Sequence, residues 1–330
     1  MVQGFENVTC DPAARRAPQV SYRHAEPGVV LAEPGTLAVL GFGAGATNSA
    51  DPRWLGVGLE SFDAPASLEI WQVEGAVTHG RAGDLRWSAG GGWLFAVIEL
   101  DERSHGGPHG TAAAAYAQLC QFLGTRSERH VLRLWNYLGD INQGDGDSER
   151  YKQFCEGRAA GMNGFFADGF PAATAIGHHA TELRLQVYLL ACDQLGQRVE
   201  NPRQVSAWRY PRQYGRTPPS FARAMVLPAH DALAISGTAA VVGHASAHVD
   251  DLMAQLEETL LNLEALLASA GMAAGFDTQS PLKAYVRRPT DAPLVRDFMQ
   301  RRLPGVPVLL LHGDICRQEL LVEIDGWRFA

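Results

Sequence analysis

The chain has 330 residues, of which 46% are hydrophobic and 19% charged, with a formal net charge of −8. This is a globular composition long enough for two domains. It contains no run near the roughly 18 apolar residues of a membrane span and no basic face suited to nucleic acid. The opening MVQGFENVTCDPAARR has no apolar signal core, so a cytoplasmic protein is expected. Cys10, Cys120, Cys155, Cys192 and Cys316 are scattered without a CxxC pair, which suits reduced thiols better than a disulfide framework or zinc cage.

Three regions follow in chain order: 1–65, 66–202 and 203–330. The first is rich in Pro and Gly, with short apolar runs at 37–42 and 54–59, and reads as strands and turns. The second predicts strands at 68–73 and 93–100, a helix at 111–123, and strands at 130–138 and 182–191. The third predicts a strand at 232–236, a long helix at 248–270, a strand at 282–286, a helix at 292–302 and a closing hairpin at 306–327. Leu252, Leu256, Leu260, Leu263 and Leu267 make one apolar stripe on the long helix, which needs a sheet to cover. The second and third regions repeat an element order. Residues 171–191 overlay 307–327 without a gap, placing Glu323 on Val187 and Cys316 on Ala180. An acid that the matching strand does without points toward function.

Strand alternation puts Leu321, Glu323 and Asp325 on one face and Leu320, Val322 and Ile324 on the other. Either the acids form a solvated strand face, or they look into a cleft between packed units, where Glu323 would be desolvated and could hold a proton near pH 7. Cys316 reads as a small pocket-lining residue, because no protease-like signature accompanies it. In WRYPRQYGRTPPSFARA (208–224), Arg209, Arg212, Arg216 and Arg223 form either a solvated loop or a carboxylate clamp assisted by tyrosines. Gly237 in ISGTA allows either a bulge or a close backbone approach. No metal site is expected. GDINQGDGDSER (139–150) alternates acids like a calcium loop, but Arg150 stands where the turn glycine belongs, so a polar turn is the better reading. GFGAGATNSA (41–50) lacks GK[ST] and a following helical pattern, so it is discounted as a nucleotide loop.

The third region resembles the RidA/YjgF family in SFARAMVLPAHDALAISG, LEETLLNLEALLASAG, LKAYVRRPTD and LLVEIDG. The resemblance implies an α+β fold of two RidA-like units, each a mixed sheet packed by helices, behind an N-terminal extension. It also implies that Glu323 and Gly237 face a ligand cleft. The family's deaminases use an arginine in the strand before the final hairpin; 307–311 has none, which argues against imine deamination. RidA relatives are trimers, so monomer and homotrimer both stand, a duplicated chain being able to satisfy some interfaces internally.

Over its full length the chain resembles the chorismatases, through RLWNYLGDIN, RQVSAWRYPRQYG, ISGTAAVVGH and LLHGDICRQELLVEID. That resemblance implies conversion of chorismate, without metal or organic cofactor, to pyruvate and 3-hydroxybenzoate. The alternatives are 4-hydroxybenzoate, a dihydroxycyclohexadienoate, or a non-catalytic carboxylate binder. It implies that Glu323 protonates the methylene of the enolpyruvyl ether. Cys316 and Gly237 would shape the ring end of the pocket, while Arg212, Arg223, Arg296 and Tyr210 would bind the substrate.

Overall fold

The computed structural model describes residues 16–43 and 49–330. Cys10 and residues 44–48 of the glycine-rich stretch 41–50 lie outside the described residues. The first region contributes β1 (Gln19–Arg23), α1 (Pro27–Leu31), β2 (Thr36–Phe42), β3 (Trp54–Val57) and β4 (Glu60–Ser61). Next come β5 (Leu68–Gln72), β6 (Thr78–Ala82), β7 (Leu85–Gly90), β8 (Trp93–Asp101) and α2 (Pro108–Leu123). They are followed by β9 (His130–Gly139), α3 (Arg150–Met162), β10 (Ala172–His178), β11 (Arg184–Cys192) and β12 (Gln197–Val199). The last region holds β13 (Ala224–Val226), β14 (Ala232–Thr238), a small hairpin of β15 (Val241–Val242) and β16 (Ala245–Ser246), and α4 (Leu252–Ser269). It ends with β17 (Leu282–Val286), α5 (Ala292–Arg302), β18 (Val308–His312), β19 (Asp314–Ile315) and β20 (Val322–Phe329).

The duplication is visible in the topology. One sheet runs β19-β10-β9-β11-β8-β7-β6 and the other β12-β13-β14-β20-β17-β18-β4. In each, a parallel pair (β9/β10, β17/β18) adjoins an antiparallel strand (β11, β20) that returns beside the unit's first long strand. Helices α2 and α3 serve the first sheet, α4 and α5 the second. The third sheet, β1-β5-β2-β3, shares a core with both others: Leu37, Leu40, Trp71, Phe95, Trp135, Tyr188, Tyr285 and Trp327 pack together at its centre. Strands cross the regions drawn from sequence. β5 joins the N-terminal sheet, β4 extends the last sheet, and β12 pairs with β13.

Three expectations need correction. The predicted closing hairpin does not form. β18 and β20 flank β17 on opposite sides, and between them β19 crosses to pair with β10 of the other sheet. The gapless overlay is also out of phase. Val187 packs with α2 residues on the helix side of its sheet, whereas Glu323 lies on the face opposite Val322 and Ile324, which pack on α4 and α5. A one-residue slip turns every side chain over, so the positional counterpart of Glu323 is a neighbour of Val187. The third correction is α3, which the sequence reading passed over.

Helix α3 is hard to see because its inner face is built from glycine. Gly157 and Gly161 let its backbone lie against α2, where a Cβ would strike the carbonyls of His109 and Ala113. Small residues four apart permit that approach but leave no leucine stripe to detect. Asn163, at φ 41°, ends the helix in the left-handed conformation. The long helix begins later than expected, with Asp251 capping it by accepting from the Ala254 N–H at 3.0 Å.

Candidate active site

β20 is buried on both faces, which overturns the solvated-strand reading. Val322 and Ile324 pack under α4 and α5, while Glu323 and Asp325 point toward the first unit, at 6% and 0% exposure. Glu323 opens onto a cavity of about 370 Å³ where β10 and α3 meet β14 and the 204–221 segment. β14 is bulged between Ile235 and Thr238, so the backbone at 236–237 leans onto β10. There the Ala173 N–H donates to Ser236 Oγ (2.9 Å) and the Gly237 N–H to Thr174 Oγ1 (2.9 Å). Gly237 is required at this point: a Cβ would fall inside the van der Waals shell of Glu323 Oε1.

The walls are held from behind. On α4, buried Gln255 donates to the Glu319 carbonyl (2.9 Å) and accepts from the Leu321 N–H (2.8 Å), and Asn262 donates to the carbonyls of Ala239 and Val241 (both 3.0 Å). Arg287, just past β17, donates to the carbonyls of Ile315 (2.8 Å), Arg317 (2.9 Å) and Leu320 (2.8 Å). These bonds fix the segment that presents Cys316 and Arg317 to the cavity.

The electrostatics single out Glu323. Burial, and then the neighbouring Asp325 charge, raise its carboxyl to about 8, against the pull of Arg133, Arg223 and Arg287. Among the described residues its oxygens have no hydrogen-bond donor, although an ionised carboxylate left so buried costs several kcal/mol. The group is therefore an acid at neutral pH. Asp325 has different surroundings. Its Oδ2 accepts from Arg133 (3.0 Å), Trp135 (2.9 Å), Thr174 (2.7 Å) and Tyr285 (2.9 Å). Lys283 lies 3.9 Å from its Oδ1 and donates to Glu69 of β5 at 2.8 Å. Arg133 and Lys283 thus balance Asp325 and Glu69.

Opposite the acid the cavity is cationic. Arg158 on α3 is 4% exposed, and its Nε and Nη2 are buried without a partner among the described residues. Arg223 is 5% exposed and gives Nη2 to the Val205 carbonyl (2.8 Å) and Tyr210 Oη (2.7 Å), while its Nε is unpartnered. Arg317 stacks on Tyr214, 4.1 Å from the ring centre. Buried guanidinium groups with idle N–H donors are suited to an anionic ligand. Ala173, Ala175, Phe154, Cys155 and Cys316 form a neutral patch of the wall, while Asp145, Glu149, Lys152 and Glu319 also line the cavity. Burial pushes both thiols up to about 12, so Cys316 lines the pocket rather than attacking.

Of the residues singled out from sequence, Glu323, Cys316, Gly237, Arg223 and Tyr210 meet in this cavity. Arg212 does not; it makes a bidentate pair with Asp147 (2.9 and 2.6 Å) at the surface, joined there by Arg216. Arg296 on α5 is elsewhere, paired with Asp63 at 2.6 Å. Sequence reasoning missed Arg158, Arg317 and Thr174. No cluster of three or more metal-ligating side chains occurs among the described residues.

Comparison with known proteins fits this arrangement. Residues 69–191 match the family described as chorismatase FkbO/Hyg5-like, N-terminal. A 3-hydroxybenzoate synthase of Streptomyces hygroscopicus is 35% identical over 276 residues, covering 78% of this chain and 80% of that protein. The chain belongs to the chorismatase family. A chorismatase of Streptomyces rapamycinicus is 36% identical over 276 residues, covering 78% of this chain and 81% of its own length. A crystal structure of a chorismatase covers 96% of this chorismatase and 99% of that chain, with a TM-score of 0.85 and 30% identity. The α+β class expected from the sequence stands, as does a pair of units that repeat one element order. No helix among the described residues is long and apolar enough to cross a membrane.

Proposed function

We propose that this chorismatase converts chorismate to 3-hydroxybenzoate and pyruvate, with Glu323 as the general acid. The observation that carries this is the buried Glu323 carboxyl, without a hydrogen-bond donor among the described residues, facing a cavity lined by Arg158, Arg223 and Arg317. A carboxylic acid raised to about 8 keeps its proton at neutral pH and delivers it to an electron-rich methylene carbon. Protonation turns the enol ether into an oxocarbenium ion and makes the side chain a leaving group. Two substrate carboxylates call for two cationic anchors. Arg158 and Arg223 are our assignment, with Tyr210 holding Arg223 in place.

The aromatic outcome follows from what the wall withholds. Chorismate has the same atoms as 3-hydroxybenzoate plus pyruvic acid, so that route needs neither water nor an outside oxidant or reductant. One proton enters at the methylene and one leaves ring carbon C3. As the ether bond at C3 breaks, the neighbouring C4 hydroxyl oxygen bonds to C3, and its own bond to C4 then opens as the ring becomes aromatic. A diol product consumes one water. The neutral surface of Phe154, Cys155, Cys316, Ala173 and Ala175 gives such a water few partners. The reading places the protein in a reducing compartment, in keeping with the free thiols of Cys120, Cys155, Cys192 and Cys316.

The test is proton NMR and chromatography of purified protein with chorismate and EDTA, beside Glu323→Gln. Pyruvate with 3-hydroxybenzoate, lost in the variant, is the expected result. Pyruvate with a diol would retain the acid and refute the product. Unchanged chorismate from folded wild-type protein would refute both.

A further inference from the structure

Glu323 and Asp325 are two residues apart on one face of β20, and their surroundings differ completely. Asp325 Oδ2 collects four donors from β9, β10 and β17, whereas the Glu323 carboxyl collects none among the described residues. Thr174 joins the two environments. It lines the cavity, accepts from the Gly237 N–H, and donates to Asp325. Asp325 is also ion-paired with Arg133 at 3.0 Å, and this pair is built into the strand that presents the acid.

We propose that Asp325 is the positioning residue of the acid step: its fixed carboxylate, locked by Arg133, Trp135, Thr174 and Tyr285, keeps the Glu323 side chain in its protonated form and drives it to regain a proton after each transfer. The inference deepens the acid role assigned above and rests on it. Within reach of Glu323 are Asp325 on its own strand, Arg133 from β9, Arg223 before β13 and Arg287 after β17. Cys316 and, on α3, Tyr151 also face it, and burial keeps both neutral. Asp325 is thus the anion that opposes three arginines. Without it, Arg133 would have Glu323 as its available counter-charge, and the acid would be spent as an ion pair.

Two readouts test this. The first is the alkaline limb of the pH profile of kcat/KM. Asp325→Asn moves the limb at least one pH unit lower, so activity lost at pH 8 returns at pH 6. Arg133→Met moves it higher, and Arg133→Lys, which keeps the charge, leaves it in place. A structural role for the network would lower activity at every pH without moving the limb, and that result overturns the proposal. If Asp325→Asn does not fold, the double variant with Lys283→Met restores charge balance, and the Arg133 pair gives the opposite sign independently. The second readout needs no turnover. The infrared carboxyl band that disappears in Glu323→Gln is titrated in substrate-free protein. If that band shifts with Asp325→Asn while chorismate is untouched, the inference holds and the assigned substrate falls. If chorismate is consumed and the band does not shift, Asp325 has no such role.

Discussion

Gly237 leaves free the volume into which the Glu323 carboxyl folds, so that the acid and a backbone without a side chain occupy one space. Gly237→Ala forces the carboxyl to rotate, because the strand bonds on either side hold the backbone. We expect kcat to fall by about tenfold or more, since a displacement near 1 Å is that costly to a proton in flight. The product ratio should move toward the diol. Quantifying 3-hydroxybenzoate, diol and pyruvate from one reaction checks both effects.

The same carboxyl makes stability depend on pH. Its folded value, about 8, lies above the ordinary 4.5. The folded state therefore holds a proton that the unfolded state releases, which favours folding at low pH and is lost as pH rises from 4.5 through 8. Relative to wild type, Glu323→Gln should gain stability across that window by a few kcal/mol, then level off above it. Denaturant melts of both proteins between pH 5 and 9 measure the difference, and a flat difference would contradict the shift.

Arg158 should trade stability for binding. It is a buried cation whose Nε and Nη2 have no partner among the described residues. Arg158→Met removes an uncompensated charge, so we expect the melting temperature to rise by a few degrees, about 1–3 kcal/mol. KM for chorismate should rise about a hundredfold, as a charge-assisted pair is worth roughly 2–5 kcal/mol. A thermal melt and a KM on the same preparation are sufficient.

For Cys316, a thiol pushed up to about 12 is ionised in roughly one molecule in ten thousand at pH 8. Iodoacetamide should leave it unlabelled in the native protein and label it after unfolding, as mass spectrometry of the 314–320 peptide would show. Cys316→Ala should keep pyruvate release within about threefold and increase the diol, because the space vacated admits water. Loss of all pyruvate in Cys316→Ala would restore a chemical role to the thiol.

The two arginines outside the cavity should be dispensable for binding. Arg212, 62% exposed, and Arg296, 36% exposed, already have Asp147 and Asp63 as partners. Each alanine variant should change KM by less than about threefold and stability by at most about 1 kcal/mol, whereas Arg223→Ala should raise KM steeply. Initial rates on the three variants separate these cases.

Local pattern carried much of the fold. β17 and α5 lie where the apolar runs put them, and period-two alternation placed Glu323 and Asp325 on one face. What a strand's second face meets is a tertiary fact. The acids of β20 could be taken for a solvated face because the residues that cover them, on β9 and β10, are about 150 positions away or more. β18 and β20 were paired as sequence neighbours, although a parallel crossover separates them. Arg158 was lost with α3, since glycines at 157 and 161 erase the apolar stripe that would have announced a helix. The spacing of those glycines and the Asn163 cap were the available signal.

The shared core of three sheets has a consequence for how this molecule can change. An assembly of identical chains repeats every junction, so one substitution alters all of them at once. Here the three sheets come from different stretches of a single chain, and each meeting line has its own sequence. The junction of β10 with the bulge at 236–238 can keep its acid site while the junctions made by β1, β2 and β3 drift toward tighter packing. Stabilising substitutions are best sought along those strands, where they are decoupled from turnover.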